Sequence, residues 1–212
     1  MIKAYSCVLF TSVIFLTVCN QALAAGIIKE PGKHPHYSVE LEPHFVFTWD
    51  WLPREAQDGL GVGLRASIPF FHNGPIDTIN NNMAITFGLD WAHSSFPCGP
   101  GPAGRPPPGY PYYYDNYNCS SNSYWLPVAL QWNFFLTDII SVFGEPGFAI
   151  VHSRWNLWEP CPPGGGLCEY GHSDTTLRPV FWGGARFLFN DTIGVTVRVG
   201  VPSMSVGLSI LL

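Results

Sequence analysis

Two histidine–serine neighbours are the residues with the most direct capacity for covalent chemistry. His93 is followed by Ser94, and His152 is followed by Ser153. An imidazole that takes the proton of a serine hydroxyl turns that oxygen into a nucleophile, which is the chemistry of acyl transfer. Neither pair lies in a recognisable catalytic motif, so the sequence favours a protein without an enzymatic role.

A second candidate for chemistry is the pair His34 and His36, which could bind a metal ion with a third ligand. The pair lies in a Pro-rich segment ahead of the first predicted strand, where solvated histidines are expected. The cysteines contain no C-x₂-C pair, which weakens the case for zinc. The sequence therefore predicts no metal site and no cofactor.

The N-terminus has the pattern of an export signal. Lys3 supplies a positive start, residues 4–18 are mostly apolar, and Ala22-Leu23-Ala24 offers small residues at the cleavage positions. We therefore predict a cleaved signal peptide over 1–24, a short lead over 25–36, and a single domain over 37–212.

An exported chain meets an oxidising compartment, where an even number of cysteines is typical of disulfides. Four cysteines follow the predicted signal: Cys98, Cys119, Cys161 and Cys168. Two local pairs, Cys98–Cys119 and Cys161–Cys168, are the simplest of three connectivities. Each pair would close a loop rich in proline and glycine.

The elements that must position these residues are strands, because hydrophobicity alternates with a period of two from Tyr37 onward. The seventh segment shows the pattern clearly: residues 193, 195, 197, 199 and 201 are apolar, whereas Thr196 and Arg198 lie between them. Eight such segments of roughly ten residues suit tilted transmembrane strands.

The connections between the segments alternate in length. Those over 49–58, 94–122 and 156–174 are long, that over 72–80 is intermediate, and those over 135–138, 190–191 and around Pro202 are short. Odd-numbered connections of an up-and-down barrel share one rim. Long loops at one rim and short turns at the other are typical of an outer-membrane barrel.

Composition decides which face of the barrel is outside. Only 12% of the residues are charged, 15% are aromatic, and the net charge is −5. A soluble barrel needs a charged exterior, whereas a membrane barrel turns its apolar face to lipid. So few charges also argue against intrinsic disorder, and so few cations exclude a nucleic-acid partner.

The polar face of the predicted strands carries nearly every strand charge. Four acids and four bases balance: Glu40, Glu42, Asp90 and Glu145, with Arg65, Arg178, Arg186 and Arg198. An eight-stranded interior is only wide enough for side chains to fill. Because unpaired buried charge is costly, we predict a lumenal salt-bridge network in preference to an ion path.

The last predicted strand carries a family resemblance. In the segment 205–212, the positions Ser205, Gly207, Ile210 and Leu212 look like the assembly signal that the outer-membrane insertion machinery reads. With eight strands and an export signal, residues 37–212 resemble the small OmpA/OmpX-type β-barrel family, which usually ends in Phe or Trp. The resemblance implies an all-β, eight-stranded antiparallel barrel in the outer membrane of a Gram-negative envelope. Its partners would be outer-membrane lipid and the assembly machinery.

Pro43 and Pro146 fall in the middle of predicted strands, where each removes a ladder donor. Pro43 lies in the first segment and Pro146 in the fifth. They either interrupt these two strands or mark bulges.

The function predicted from these patterns is structural, or binding through extracellular loops closed by disulfides, with a ligand that the sequence does not identify. Two alternatives stay open. Some outer-membrane barrels modify lipid A or phospholipid with Ser/His pairs, which makes the pairs at 93–94 and 152–153 the candidates. A narrow pore is the third interpretation, and the balanced lumenal charges weigh against it.

Overall fold

The computed structural model describes residues 26–49, 58–97, 118–160 and 167–212, with side chains for all of these except 97, 118, 157–160 and 167–170. Eight strands account for most of them: β1 (Glu40–Thr48), β2 (Gly59–Phe71), β3 (Asn81–Pro97), β4 (Asn118–Phe135), β5 (Ile140–Pro160), β6 (Leu167–Leu188), β7 (Ile193–Val201) and β8 (Ser203–Leu211). Within these ranges no helix is long and apolar enough to cross a bilayer.

Each strand pairs antiparallel with the next, and β8 pairs with β1, so the sheet closes into a barrel. The predicted eight-stranded antiparallel up-and-down barrel is confirmed. The end that carries Gly26, Leu212 and the turns at 72–80, 136–139 and 189–192 is called the lower end here. The connections that follow β1, β3, β5 and β7 lie at the upper end.

The strands differ in length, and this corrects the predicted loops. β5 and β6 have 21 and 22 residues, whereas β1, β7 and β8 have nine each. Residues 94–97, 118–122, 156–160 and 167–174, expected as loop, continue the strands at the upper end. Apolar and polar residues no longer alternate there, so the period-two signal disappears although the backbone ladder between β5 and β6 continues. Together β3, β4, β5 and β6 form a wall that rises above β7, β8 and β1.

Neither Pro43 nor Pro146 shifts the register. Pro43 pairs with Leu64 of β2, and Pro146 pairs with Phe181 of β6. On its other side each proline lies in a short gap in the ladder, and pairing resumes in the same register beyond it. A missing N–H thus costs local hydrogen bonds on one side only. The bulge occurs instead in β2, between Pro69 and Phe71.

Burial is inverted relative to a water-soluble protein. Large apolar side chains point outward, with Leu60 and Leu177 each 69% exposed, whereas Arg186 in the interior is 0% exposed. Between the aromatic residues at its edges, the outward belt of the described strands carries no charged side chain. A surface of this kind is stable against lipid hydrocarbon and unstable in water.

Candidate functional site

The middle of the lumen holds a continuous network of ion pairs. Arg198 bonds Glu145 through Nε and Oε2 at 2.7 Å and also pairs with Glu42. Arg65 lies between Glu145 and Asp90, with N–O distances of 3.3 and 3.1 Å. Gln131 donates to Glu145 Oε1 at 2.6 Å, which occupies the second oxygen of that carboxylate.

A separate ion pair, between Arg186 and Glu40, lies beside this network. The guanidinium of Arg186 holds Glu40 through two nitrogens, one of them Nε at 2.9 Å from Oε1. Ser209 on β8 donates to the same carboxylate oxygen at 2.8 Å. A forked guanidinium on a carboxylate, supported by a hydroxyl, is the geometry in which a buried pair recovers most of its desolvation cost.

His44 also joins the network, although the predicted set of lumenal charges did not include it. Its Nε2 is 3.0 Å from Asp90 Oδ1, and its Nδ1 is 3.0 Å from the backbone oxygen of Glu42. The ring of His44 thus links the backbone of β1 to the Asp90 carboxylate on β3. Four carboxylates face three guanidiniums in this part of the lumen, and His44 lies beside Glu42 and Asp90. The signal was available, because His44 follows Glu40 and Glu42 at the strand period of two.

Arg178, which the sequence places in this network, lies elsewhere. It is on the part of β6 that belongs to the wall, and its Nε donates to Thr176 Oγ1 at 3.2 Å. The structure therefore brings seven of the eight predicted charges together and places the eighth above them.

Glycine makes the network fit. A Cβ on Gly63 would lie 2.3 Å from Asp90 Oδ1 and 2.4 Å from His44 Nε2. A larger residue would thus occupy the space of the hydrogen bond between these two side chains. The small residues on the polar face of β2 leave room for the charges of β1 and β3 to meet.

Above the network an apolar cluster closes the lumen. It consists of Trp125, Ala149, Val151, Val180 and Trp182. The Arg65 guanidinium lies 4.2 Å from the centroid of the Trp182 ring, a cation–π contact that joins the cluster to the charges below. This cluster separates the ion pairs from solvent at the upper end.

The lower end is closed by the N-terminal segment 26–39. Ile27 is fully buried, and its N–H donates to the oxygen of Leu136 at 3.0 Å. The ring of His34 stacks on Phe135 with centroids 4.3 Å apart, and its Nδ1 donates to Asn80 Oδ1 at 2.6 Å. The predicted lead is thus a packed part of the barrel.

Burial lowers the pKa of His34 below its usual range, although the hydrogen bond to Asn80 acts in the opposite direction. The reason is visible in the geometry. A second proton would go on Nε2, which is buried and has no hydrogen-bond partner among the described residues. Burial therefore favours the neutral ring of His34 in the folded protein.

The predicted His–Ser neighbours do not meet. His93 and His152 point outward, whereas Ser94 and Ser153 point into the barrel and are buried. Adjacent residues of a strand lie on opposite faces, so an i, i+1 pair cannot share a proton in a sheet. Ser153 instead contacts Ser123, with the two hydroxyl oxygens 3.3 Å apart.

The remaining candidates lie at the two ends. His36 has His72 as a neighbour, with ring centroids 5.7 Å apart, yet no group of three or more His, Cys, Asp or Glu in the described ranges could hold a metal ion. Cys119 is buried and disulfide-bonded. Cys98 and Cys161, and the side chain of Cys168, lie outside the described part, so the predicted pairing stays a prediction.

The predicted assembly-signal residues lie on or just after β8. Ser205 and Gly207 face the lumen, whereas the side chain of Leu212 is exposed. The backbone of Leu212 bonds Ser38 and Val39, which ties the end of β8 to the start of β1. Recognition by the insertion machinery stays a prediction.

Comparison with protein-family models and with curated proteins finds no match. Among solved structures, Ail, the attachment invasion locus protein of Yersinia pestis, is similar at 10% identity and a TM-score of 0.49, over 84% of this chain and 99% of that one. The same protein in complex with the heparin analogue sucrose octasulfate is similar at 11% identity and a TM-score of 0.45, over 82% and 97%. Both are likenesses of fold.

Proposed function

We propose that the protein is an outer-membrane β-barrel that carries a raised binding wall on the cell surface. The observation that supports this most directly is the unequal height of the strands. The wall made by β3, β4, β5 and β6 continues beyond the apolar belt, whereas β7 and β8 end beside it. The parts of these four strands that project out of the lipid are not needed to span the membrane.

The orientation follows from the connections. The upper end carries the long connections 49–58 and 98–117, and the lower end carries short turns and the N-terminal segment. Outer-membrane barrels place short turns in the periplasm and longer loops outside. The upper end is then extracellular, and the disulfides proposed here, Cys98–Cys119 and Cys161–Cys168, stiffen the top of the wall.

The closed lumen supports a role on the surface in preference to transport. Ion pairs fill the middle, the apolar cluster around Trp182 closes the upper end, and Ile27 with its neighbours closes the lower end. A structural or binding role requires no passage through the barrel.

The binding surface is the free edge of β6. Its backbone ladder with β7 ends at the pair Phe181–Val201, and the described parts of β7 and β8 add no strand pair to β6 above that point. Residues 171–175 are all exposed. An extended peptide can add to such an edge by main-chain hydrogen bonds, and Asp174 favours a partner segment with a basic side chain. We therefore propose an extended, basic segment of an extracellular protein as the ligand.

Location is tested by extraction of membranes from cells that express the full chain. We expect the mature protein in the detergent fraction only, with the heat-dependent shift in gel mobility that folded barrels show. Its recovery in a wash without detergent would show that the apolar belt does not face lipid.

Strand addition is tested with a nine-residue peptide that alternates Val or Thr with Lys, added to the folded barrel in detergent micelles. Hydrogen exchange at the amides of 171–175 should slow, whereas the paired amides of β7 should not change. The same peptide with alternate backbone nitrogens methylated should give no protection, because it lacks the N–H donors.

Asp174→Lys should weaken binding of the basic peptide, and Asp77→Lys at the lower end is the matched control. Protection that persists with the methylated peptide, or equal binding by both variants, would contradict strand addition at β6.

A further inference from the structure

His93 has a serine on its own face of the sheet, two residues further along β3. Ser95 Oγ lies 3.3 Å from His93 Nε2. On the neighbouring strand, Asn122 is the register partner of His93, and its Oδ1 lies 3.2 Å from His93 Nδ1. A serine, a histidine and an asparagine are thus joined in series through the two ring nitrogens.

The protonation of this series follows from a fourth residue. Trp91 Nε1 donates to Asn122 Oδ1 at 3.2 Å. An indole N–H can only donate, so the amide atom that Trp91 and His93 share is the oxygen. His93 Nδ1 must then carry the proton, and Nε2 keeps its lone pair facing the hydroxyl of Ser95. This is the tautomer that a general base needs, with Asn122 as the group that orients it.

His152, the outward-pointing histidine of β5, lacks this property. Arg154 Nε donates to His152 Nε2 at 3.1 Å, which occupies the lone pair of that nitrogen. Its Nδ1 therefore carries the proton, and it lies 2.8 Å from Thr175 Oγ1. His152 points outward from β5 as His93 does from β3, but the lone pair of its Nε2 is occupied, so it is the control.

The series lies where the apolar belt ends. Leu89 below it is an exposed apolar residue, Trp91 and Tyr124 are at the aromatic boundary, and His93 and Ser95 follow on the same face. Aromatic side chains of membrane proteins mark the level of the lipid headgroups. The acyl esters of a bilayer lipid lie at this boundary, next to the hydrocarbon.

We propose that Ser95, His93 and Asn122 form an esterase site that hydrolyses an acyl ester of an outer-leaflet lipid from the outside of the barrel. The substrate class rests on the membrane placement proposed above, whereas the hydrogen-bonded series does not.

The reaction balances with water alone. Ser95 Oγ forms a bond to the ester carbonyl carbon while its proton passes to His93 Nε2. The bond from that carbon to the alcohol oxygen breaks, and the alcohol leaves with the proton from His93. Water then attacks the acyl group on Ser95, passes a proton to His93, and releases the carboxylic acid as Ser95 recovers its proton. Asn122 is a positioning residue that accepts from Nδ1–H while the imidazolium exists.

The test uses the full chain, folded in detergent micelles and checked by its heat-dependent gel mobility. Two substrates are compared: a phospholipid with a fluorescent acyl ester, and the water-soluble ester p-nitrophenyl butyrate. A fluorophosphonate probe, with the labelled residue found by mass spectrometry, reports the nucleophile directly. We expect label on Ser95 and release of fatty acid from the lipid.

Ser95→Ala should lower the rate about 1,000-fold or more, and His93→Ala about 100-fold or more. Ser94→Ala and His152→Ala should keep the rate of the wild type, because Ser94 faces the lumen and His152 lacks a free lone pair. Asn122→Ala should lower the rate of labelling, whereas Asn122→Asp should restore it, because a carboxylate still accepts from His93 Nδ1.

A folded wild type that neither hydrolyses an ester nor takes the probe would overturn the site, as would a Ser95→Ala variant with the activity of the wild type. Hydrolysis of the soluble ester that depends on Ser95, without hydrolysis of the lipid, would overturn the substrate class. Extraction of the protein without detergent would contradict the proposed location. It would not contradict the hydrogen-bonded series of Ser95, His93 and Asn122.

Discussion

At the scale of single residues, the lumen shows how a barrel holds charges away from water. Each carboxylate of the network has a guanidinium within hydrogen-bond distance, and Gln131 and Ser209 satisfy further oxygens. Removing one partner leaves the other charge buried and unpaired, which costs more than the pair itself contributes.

Arg186→Ala therefore should destabilise the barrel by about 3–5 kcal/mol, because Glu40 is left in the lumen without its guanidinium. Arg154→Ala, at an exposed position of β5, should change stability by less than about 0.5 kcal/mol. Urea unfolding in lipid vesicles measures both. The double variant Arg186→Ala with Glu40→Ala should lose less than the sum of the single losses, and simple additivity would show that the two side chains are not coupled.

At the scale of elements, the segment 26–39 is as much a part of the barrel as a strand. Its backbone bonds the β4–β5 turn through Leu136 and the turn before β3 through Asn80, and His34 stacks on Phe135. The neutral ring of His34 fits this place because its Nε2 is buried away from water.

Stability should therefore depend on pH through His34. The pKa of His34 is lowered in the folded protein by burial, while the unfolded chain binds the proton below about pH 6.5. The stabilisation that the neutral His34 ring contributes is fully present above pH 6.5. It is lost as the pH falls from there through the lowered pKa that His34 has in the folded protein. Unfolding temperatures measured between pH 7.5 and 4.5 should decline less steeply for His34→Gln than for the wild type. His36→Gln, at an exposed position, should follow the wild type.

The wall formed by β3, β4, β5 and β6 carries a prediction about its disulfides. Local disulfides should appear in peptide maps under non-reducing conditions as Cys98 linked to Cys119 and Cys161 linked to Cys168. Closing a loop of about 20 residues is worth roughly 3 kcal/mol to that loop in the chain-entropy model. Reduction should leave the heat-dependent gel mobility intact, because Cys119 and the backbone of Cys168 lie above the apolar belt. A link between the two loops would contradict local pairing.

At the scale of the whole molecule, three layers close the lumen: the apolar cluster at the upper end, the ion pairs in the middle, and the N-terminal segment at the lower end. Reconstituted into planar bilayers, the wild type should give no steady single-channel current. A stable conductance would show that the polar interior is hydrated and that the ion pairs line a pore.

The sequence by itself determined the barrel, the polarity of its faces and most of the lumenal charges. A period of two over eight segments requires strands, and each strand assigns its residues to a face without reference to its neighbours. Glu40, Arg65 and Glu145 could therefore be placed in the lumen one strand at a time, and His44 could have been placed by the same rule.

Only the tertiary structure decided which residues meet across strands. The serine beside His93 in the chain, Ser94, is on the wrong face, and Ser95 shares the face of His93 by the period of the strand. Asn122 reaches the ring because β3 and β4 pair in one particular register. Arg178 shares a face with Arg186 but stands higher on β6, and the period of a strand carries no information about height. The upper parts of β5 and β6 lose the hydrophobic alternation while their backbones remain paired, because a ladder needs N–H and C=O groups and not apolar side chains.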